Sequence, residues 1–156
     1  MSTLVYARES MAASRHEAAA LMAAHWDEVA HDKDVRKLDV DWEALEAIEA
    51  AGQLFLMTVR SNGTLVGYLS AFLRPHLHAR GTISAYVDAL FLSPEVRRGM
   101  AGARFLAYAD AALAAQSDFI YWYINPEKDF GPILRRSLGY HYIEAIWGRS
   151  TCRGTS

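Results

Sequence analysis

Hydrophobic positions in the first third of the chain follow a helical period. Between residues 14 and 30, apolar side chains and one histidine recur at three- and four-residue steps and form a single stripe. The members of the stripe are Ala18, Leu21, Met22, His25 and Val29. Ser14, with Glu17 three residues later, predicts the start of this helix as a capping box. A shorter helix is predicted over residues 41–51, ended by Gly52.

The period then changes to that of β-strands. Residues 54–60 and 64–73 are apolar runs on either side of Asn62-Gly63, and this dipeptide between two such runs is a strong hairpin signal. A third long strand is predicted over residues 82–92. The other predicted elements are a strand at 3–7, a helix at 102–116, a strand at 119–125 buried on both faces, a helix that is capped by Asp129 and ends at Gly139, and a strand at 141–149. The order β-α-α-β-β-β-α-β-α-β predicts an α/β (α+β) mixed sheet with helices on both faces.

The composition is that of an ordinary globular protein. The chain has 156 residues, of which 52% are hydrophobic and 22% charged, which is enough for one core. We expect a single domain over residues 1–149 and a polar tail over residues 150–156. The 16 basic and 18 acidic side chains give a net charge of −2, so no bulk field attracts nucleic acid or an anionic membrane.

Three absences in the sequence predict a cytoplasmic protein. No apolar run reaches the roughly 18 residues that a membrane-spanning helix needs. The N-terminal residues lack a basic segment followed by an apolar one, so no export signal is expected. The single cysteine, Cys152, lies in the polar tail and has no partner for an internal disulfide, which favours a reducing compartment.

The most informative stretch joins the third long strand to the helix that follows it. This loop carries Arg97, Arg98, Gly99 and Gly102. Glycines let backbone N–H groups approach a ligand closely, and a helix N-terminus supplies free donors, so the loop could hold a pyrophosphate. The alternative interpretation is a turn that needs glycine for a positive φ, with two solvated arginines. A Rossmann site is disfavoured because no acidic residue ends the next strand, and a Walker A loop is absent.

The strand, the loop at 93–102 and the following helix resemble the acetyl-CoA-binding motif of the GCN5-related N-acetyltransferase (GNAT) superfamily. That motif reads Arg/Gln-x-x-Gly-x-Gly/Ala. Arg97 and Gly102 occupy its first and sixth positions, whereas Met100 stands at the fourth and a glycine, Gly99, lies one position earlier. Leu138-Gly139-Tyr140 resembles the Leu-Gly-Phe that follows the last helix of these enzymes. The chain is most similar to the small GNAT proteins of phages and prophages, which share His25-Trp26, the segments 65–68 and 75–78, and Lys128-Asp129-Phe130.

The resemblance implies a GNAT fold and acetyl-CoA as co-substrate. The strand at 82–92 would splay from the strand at 119–125, and pantetheine would lie in the gap between them. An amine would attack the acetyl carbonyl directly. The cofactor-binding residues implied are Leu90, Phe91, Leu92, Arg97, Arg98, Gly99, Met100, Ala101, Gly102, Ala103, Asn125 and Phe130.

Asp88 is the candidate general base. It interrupts an otherwise apolar strand, on the same face as Leu90 and Leu92, six residues before Pro94. An aspartate in such a run either has a partner or a raised pKa, and both are frequent at functional sites. The alternative is a structural aspartate that is bonded to a loop.

The general acid is harder to assign. Family members often place a tyrosine four residues before the glycine of Leu-Gly-Phe, but here that residue is Arg135. Tyr140 is expected to pack in the core. Tyr123 is therefore the candidate acid, and solvent is the alternative proton donor.

Family placement makes His25, Trp26 and His78 candidate substrate-binding residues. His25 also fits a core histidine, because it lies at the centre of the helical stripe. His76 and His78 could form part of a metal site, but the sequence supplies no third ligand, so no metal is expected.

The leading functional hypothesis is an acetyl-CoA-dependent N-acetyltransferase that acts on a primary amine. One alternative is a non-catalytic GNAT-fold binding module that contacts a host protein, which the missing tyrosine and the displaced glycine favour. Another is an acyltransferase that acts on a modified nucleobase. Neither a membrane nor nucleic acid is expected as a partner, and exposed edge strands allow a homodimer.

Overall fold

The computed structural model describes residues 3–31, 33–149 and 151. Within these residues it contains five strands and four α-helices, with two short 3₁₀ turns at Pro94–Val96 and Pro126–Lys128. The elements are β1 (Leu4–Arg8), α1 (Met11–Val29), α2 (Trp42–Ala50), β2 (Leu54–Ser61), β3 (Thr64–Pro75), β4 (Ile83–Leu92), α3 (Ala101–Ala114), β5 (Phe119–Trp122) and α4 (Gly131–Leu138). The mixed α/β fold with this order of elements is confirmed up to α4.

The five strands form one sheet in the order β1-β2-β3-β4-β5. Neighbouring strands are antiparallel except for β4 and β5, which run parallel. Asn62 and Gly63 both adopt positive φ, at 51° and 84°, which gives the tight turn that the Asn-Gly signal predicts between β2 and β3. Helices α1 and α2 cover one face of the sheet, and α3 covers the other, so that each face has its own apolar cluster.

The sheet opens at the middle of β4. Ladder pairing between β4 and β5 runs from Ser84–Phe119 to Val87–Trp122 and ends there, although β4 continues to Leu92. The far end of β4 is held against β3 instead, through the bond from Ser93 N to Val66 O at 2.7 Å. β5 therefore pairs with the first half of β4 only, and the unpaired side of residues 88–92 is called the gap here, since the family resemblance implies the cofactor gap in this position.

The first helix begins earlier than predicted. Its N-cap is Ser10, whose side chain accepts from the backbone N–H of Ala13, and not Ser14. Ser14 lies buried inside the helix, where its hydroxyl donates to Ser10 O at 2.8 Å. Glu17 does not close a capping box, because its carboxylate accepts from Arg60 and from the backbone N–H of Leu65. The local cap therefore lies four residues earlier, and Glu17 contacts the β2–β3 hairpin instead.

The strand predicted at 119–125 is shorter and more exposed than expected. β5 ends at Trp122, and the prediction that it is buried on both faces is wrong, since Phe119 keeps 50% of its surface exposed. The reason is that β5 is the last strand of the sheet and has a neighbour on one side only. Apolar runs of this kind do not distinguish an edge strand from a central one.

The strand predicted at 141–149 is also wrong. Residues 141–149 form no regular secondary structure and lie outside the sheet, and every one of them is exposed. Asp129 does not serve as the N-cap of α4, which is Phe130, although its carboxylate accepts from Gly131 N at 2.7 Å. Gly139 ends α4 in the left-handed conformation, with φ of 76°, as the sequence predicts. No helix in the described part of the chain is long and apolar enough to span a membrane.

Candidate active site

A β-bulge places Asp88 at the point where the sheet opens. Ser70 of β3 pairs with Ala89, and the next residue, Ala71, pairs with Val87, so Asp88 is the extra residue on β4. Bulges re-aim a side chain and are frequent next to active sites. The bulge turns Asp88 into the cavity on the α1–α2 side together with Ala89, whereas Leu90 packs towards α3. The expectation that Asp88 shares a face with Leu90 and Leu92 is wrong, because a bulge breaks the two-residue alternation.

The cavity beside Asp88 has a volume of about 310 Å³. It lies between α1, α2, the segment that joins them, and strands β2 to β4. Most of its lining is apolar, and the polar side chains among the lining residues are those of His25, Trp26, Tyr68, Ser70 and Asp88. Two of the three predicted substrate-binding residues, His25 and Trp26, therefore share one cavity with the predicted base.

His25 and Tyr68 form a hydrogen-bonded pair in this cavity. The distance from His25 Nδ1 to Tyr68 Oη is 2.7 Å. The His25 ring also stacks on Phe91, with centroids 5.1 Å apart. His25 is thus a half-buried histidine that is satisfied by a phenol on β3 and an aromatic ring on β4, which fits the core interpretation, and it also lines the cavity.

Burial shifts the pKa of each titratable group in the cavity. Desolvation raises the pKa of the Asp88 carboxyl, and the opposing effect of the Arg74 charge is smaller. Burial lowers the pKa of His25, so the imidazole is neutral at pH 7. Burial and then the Asp88 charge raise the pKa of the Tyr68 phenol. Asp88 is exposed and lines the cavity, so a ligand bound there can reach its carboxylate.

The predicted cofactor loop contains a short 3₁₀ turn and ends at α3. Gly99 has φ of 57°, so the turn itself requires glycine at this position. Gly102 differs, because it is helical and a Cβ added there would meet no protein atom within 4 Å. Glycine costs about 0.5–1 kcal/mol relative to alanine inside a helix, and nothing in the fold requires it here. Open space at Gly102, at a helix N-terminus without a side-chain cap, fits a phosphate group.

Arg97 is engaged with the protein itself. Its guanidinium bonds both carboxylate oxygens of Glu28 on α1, at 2.8 and 2.6 Å, and its Nε donates to Leu92 O. Lys128, which follows β5, approaches the same carboxylate at 3.4 Å. These contacts hold the pKa of Glu28 at about 2. Glu28 therefore links Arg97, which follows β4, to Lys128, which follows β5. The sequence does not reveal this role.

Other predicted site residues follow β5 directly. Asn125 caps the short turn at Pro126–Lys128, and its side chain accepts from Glu127 N at 2.9 Å. Phe130 packs edge-to-face on Trp122, with centroids 5.8 Å apart. Tyr123 is 52% exposed and stacks near Tyr86, and desolvation raises the pKa of its phenol.

Two further side chains are placed away from the cavity. Tyr140 is half-buried, donates to Asp110 at 2.5 Å and packs edge-to-face on Trp122, so it packs against the fold without joining either apolar cluster. His78 is exposed in the turn between β3 and β4 and does not line the cavity. The His76 and His78 rings lie 6.2 Å apart, and no group of three metal-binding side chains occurs among the described residues.

Sequence reasoning missed Tyr68 and Glu28 as members of the site. Tyr68 lies in the apolar run 64–73, where alternation alone assigns it to the core, and its contact with His25 joins two elements 43 positions apart. The cavity walls at Leu38 and Val40 come from the segment between α1 and α2. No local pattern reports such contacts.

Comparison with known proteins gives one family match. The family model described as the acetyltransferase (GNAT) family matches residues 16–129. These residues include most of α1, the whole of α2, the bulge at Asp88 and the whole of the glycine loop. Comparison with curated proteins finds no significant match.

Solved structures with this fold cover nearly the whole chain. An aminoglycoside acetyltransferase from an uncultured soil metagenomic sample, in complex with sisomicin, superposes with a TM-score of 0.73 at 13% identity, covering 96% of this chain and 97% of its own. The aminoglycoside N-acetyltransferase AAC(6')-Iy in complex with CoA gives 0.66 at 18% identity, with 97% of each chain covered. A ribosomal-protein-alanine N-acetyltransferase from Brucella melitensis biovar Abortus 2308 gives 0.67 at 19% identity, with 97% of each covered. At these identities the likeness shows the fold alone.

Proposed function

Because the chain belongs to the acetyltransferase (GNAT) family and is an N-acetyltransferase, we propose that it transfers the acetyl group of acetyl-CoA directly to a primary amine. One observation carries the proposal. The gap between β4 and β5 opens at the bulge that turns Asp88 into a separate cavity, so a thioester in the gap and an amine in the cavity would meet beside a carboxylate. The known complex of AAC(6')-Iy with CoA supports CoA as the ligand of this fold.

In the proposed complex, acetyl-CoA is held by the predicted cofactor-binding residues. The pantetheine arm pairs with the backbone of Leu90, Phe91 and Leu92, which β5 does not cover. The pyrophosphate lies on the loop from Arg98 to Ala103, where Gly102 leaves open space and the N-terminus of α3 supplies donors. The side chain of Arg97 acts through Glu28 and positions the loop rather than contacting phosphate.

Asn125 and Phe130 complete the proposed cofactor site. Both follow β5 on the far side of the gap, where they would flank the thioester. Arg98 and Met100 belong to the same loop, and both side chains are exposed to solvent.

The proposed chemistry needs one base and one acid. Asp88 accepts the proton of the bound ammonium, directly or through water, so that the nitrogen lone pair can attack the acetyl carbonyl. The new C–N bond forms, the nitrogen gives its second proton to water, the C–S bond breaks, and the leaving thiolate takes a proton, so that one proton is released overall. We propose Tyr123 as the donor of that proton, since it follows the end of β5 at the gap, with solvent as the alternative. His25 and Trp26 hold the acceptor, and His78 is proposed only as a contact for acceptors that extend beyond the cavity.

Acetyl-CoA binding and thiol release test the proposal. Calorimetry with acetyl-CoA is expected to show micromolar binding, and a thiol reagent is expected to report CoA release that depends on an added primary amine. The matched control replaces each amine with the corresponding alcohol. Binding without amine-dependent release would favour the non-catalytic binding module, and absence of binding would contradict both functions. An acyltransferase that acts on a modified nucleobase would release thiol only with an amino-modified nucleoside.

We also propose that the protein forms a homodimer through β5 and the segment 141–149. β5 is the last strand of the sheet, and a groove of about 320 Å³ lies between it and residues 138–143. Ile143, Ile146 and Trp147 are exposed in the following segment, Trp147 at 93%. An open strand edge and an apolar, β-prone segment on one chain are complementary between two copies.

Light scattering is expected to report a dimer for the unaltered chain. Ile146→Lys should give a monomer, because a lysine on the pairing segment opposes edge-to-edge association. Val5→Lys is the matched control, since Val5 is exposed on β1 at the opposite edge of the sheet and should leave the dimer intact. A monomeric unaltered chain at tens of micromolar would contradict the proposal.

Four sequence-based hypotheses stay predictions. They are membership of the phage and prophage subgroup, a cytoplasmic location, the absence of nucleic-acid and membrane partners, and a single domain over residues 1–149 followed by the tail 150–156. Cys152, on which the compartment depends, lies outside the described residues.

A further inference from the structure

We propose that the acceptor is a small amine with a single positive charge on an apolar body, and not a polycation of the aminoglycoside kind. The inference rests on the proposed function and adds the substrate class of the same cavity. It is carried by the charges and walls of the cavity, because the described lining offers one negative charge for one ammonium group and no second one.

Among the described side chains that line the cavity, Asp88 is the one carboxylate. The histidine there, His25, is neutral because burial lowers its pKa. A single negative charge can balance a single ammonium group. A second ammonium in the same space would be desolvated without a partner, which is costly for any charged group.

Five other acidic side chains that the structure describes on α1, α2 and their junction are engaged elsewhere or stay outside the lining. Glu28 binds Arg97. Glu49 accepts from Met11 N at 2.9 and 3.0 Å, and Asp41 caps α2 through Ala44 N at 2.9 Å. Asp27 and Asp39 are exposed and do not line the cavity.

The rest of the wall is suited to hydrocarbon. Trp26 and Val29 of α1, Leu38 and Val40 of the following segment, and Leu45 of α2 face the cavity. Its volume of about 310 Å³ is at the lower end of the range for small-molecule sites. An apolar body in this space gains the transfer free energy of each group it buries, which corresponds to about fourfold in affinity per CH₂.

A series of linear amines tests the substrate class. We expect kcat/KM for thiol release to rise about three- to fourfold per CH₂ from ethylamine to hexylamine. Each α,ω-diamine of the same length should be at least about tenfold poorer than its monoamine, because the second charge meets an apolar wall. Binding of hexylamine and 1,6-diaminohexane, measured by ligand-observed NMR, provides a readout that needs no turnover. Kanamycin should be a poorer acceptor than hexylamine.

A variant that adds a carboxylate to the wall gives the converse test. Leu38 is 37% exposed and lies outside the helices, so Leu38→Glu is expected to fold. It should raise the ratio of kcat/KM for 1,4-diaminobutane over butylamine by about tenfold. Val35→Glu is the matched control, because Val35 is 53% exposed in the same segment and does not line the cavity, so the ratio should stay unchanged.

The outcomes separate the inference from the proposed function. Preference for diamines or kanamycin, a flat response to chain length, or absence of hexylamine binding would overturn the substrate class. Acetyl transfer to polycations would do so while leaving the N-acetyltransferase function intact. Hexylamine binding stronger than that of 1,6-diaminohexane, without thiol release, would support the substrate class and contradict the proposed transfer.

Discussion

Asp88→Asn is expected to lower kcat by about 10²- to 10⁴-fold, the usual effect of removing a general base. Asparagine keeps the size of the side chain but cannot accept the proton of the bound ammonium. Acetyl-CoA affinity should change little, because the proposed cofactor contacts begin at Leu90, beyond the bulge. Steady-state kinetics and calorimetry on the same preparation measure both quantities.

The pH dependence gives this variant a signature of its own. Desolvation raises the pKa of Asp88, so its carboxylate becomes protonated at a pH above the ordinary aspartate pKa of about 3.9. The acid limb of the rate profile should therefore lie above that pH. Asp88→Asn should remove that limb. The deficit of the variant should shrink at high pH, where the free amine no longer needs a base.

Stability separates a catalytic Asp88 from a structural one. For a carboxyl whose pKa is higher in the folded state than in the unfolded state, stability is fully present at low pH and declines as pH rises through the folded pKa. At pH 7 the ionised Asp88 therefore opposes folding, and Asp88→Asn should melt at the same temperature as the unaltered chain or higher. Asp118→Ala is the structural control, because it removes the carboxylate that accepts from Ile83 N at 2.7 Å, and this loss should lower Tm without lowering kcat. A less stable Asp88→Asn with a normal rate would assign a structural role.

Gly102→Asp is expected to weaken acetyl-CoA binding by about 10- to 100-fold. The new carboxylate would occupy the open space at the start of α3 and face the pyrophosphate, and juxtaposed like charges cost on the order of a few kcal/mol. An acidic residue in the first turn also favours the helix dipole, so the fold should not be weakened. Calorimetry with acetyl-CoA and a melting curve measure the two effects.

Ala107→Asp is the control for charge, since Ala107 is exposed on the same helix away from its first turn. It should leave affinity near that of the unaltered chain. Gly102→Ala should raise stability by about 0.5–1 kcal/mol, because alanine replaces glycine in a helix without any contact to relieve. Unchanged affinity in Gly102→Asp would contradict the placement of the pyrophosphate.

Local patterns in the sequence predict most of the fold. The Asn-Gly hairpin, the stripe on α1 and the left-handed glycine that ends α4 are short-range features, and all three are confirmed. The error at Ser14 has a tertiary cause, because Arg60 and the backbone of Leu65 recruit the carboxylate of Glu17 from the distant hairpin.

The strand predicted at 141–149 fails for a similar reason. A β-prone segment becomes a strand only where a partner edge is available, and composition does not report the partner. The proposed dimer would supply that edge from a second copy. Pairing between two copies would then explain both the β-prone pattern of the segment and its exposure in a single chain.

The site is predictable only in part. The sequence identifies Asp88, His25 and Trp26, because each is an unusual residue type in its context, and all three line one cavity. The sequence does not identify Tyr68 and Glu28, because their roles depend on contacts with His25 and Arg97 across the fold. The bulge at Asp88 is likewise invisible to alternation, yet it decides which side of the sheet the carboxylate reaches.

Mass spectrometry of the product formed from acetyl-CoA with a ¹³C-labelled acetyl group tests the central claim most directly. The purified protein, labelled acetyl-CoA and hexylamine are expected to yield N-acetylhexylamine that carries the label, in a one-to-one ratio with released CoA. The protein itself should carry no labelled acetyl group after the reaction. CoA release without labelled amide, or label retained on the protein as an obligatory intermediate, would contradict direct transfer to an amine.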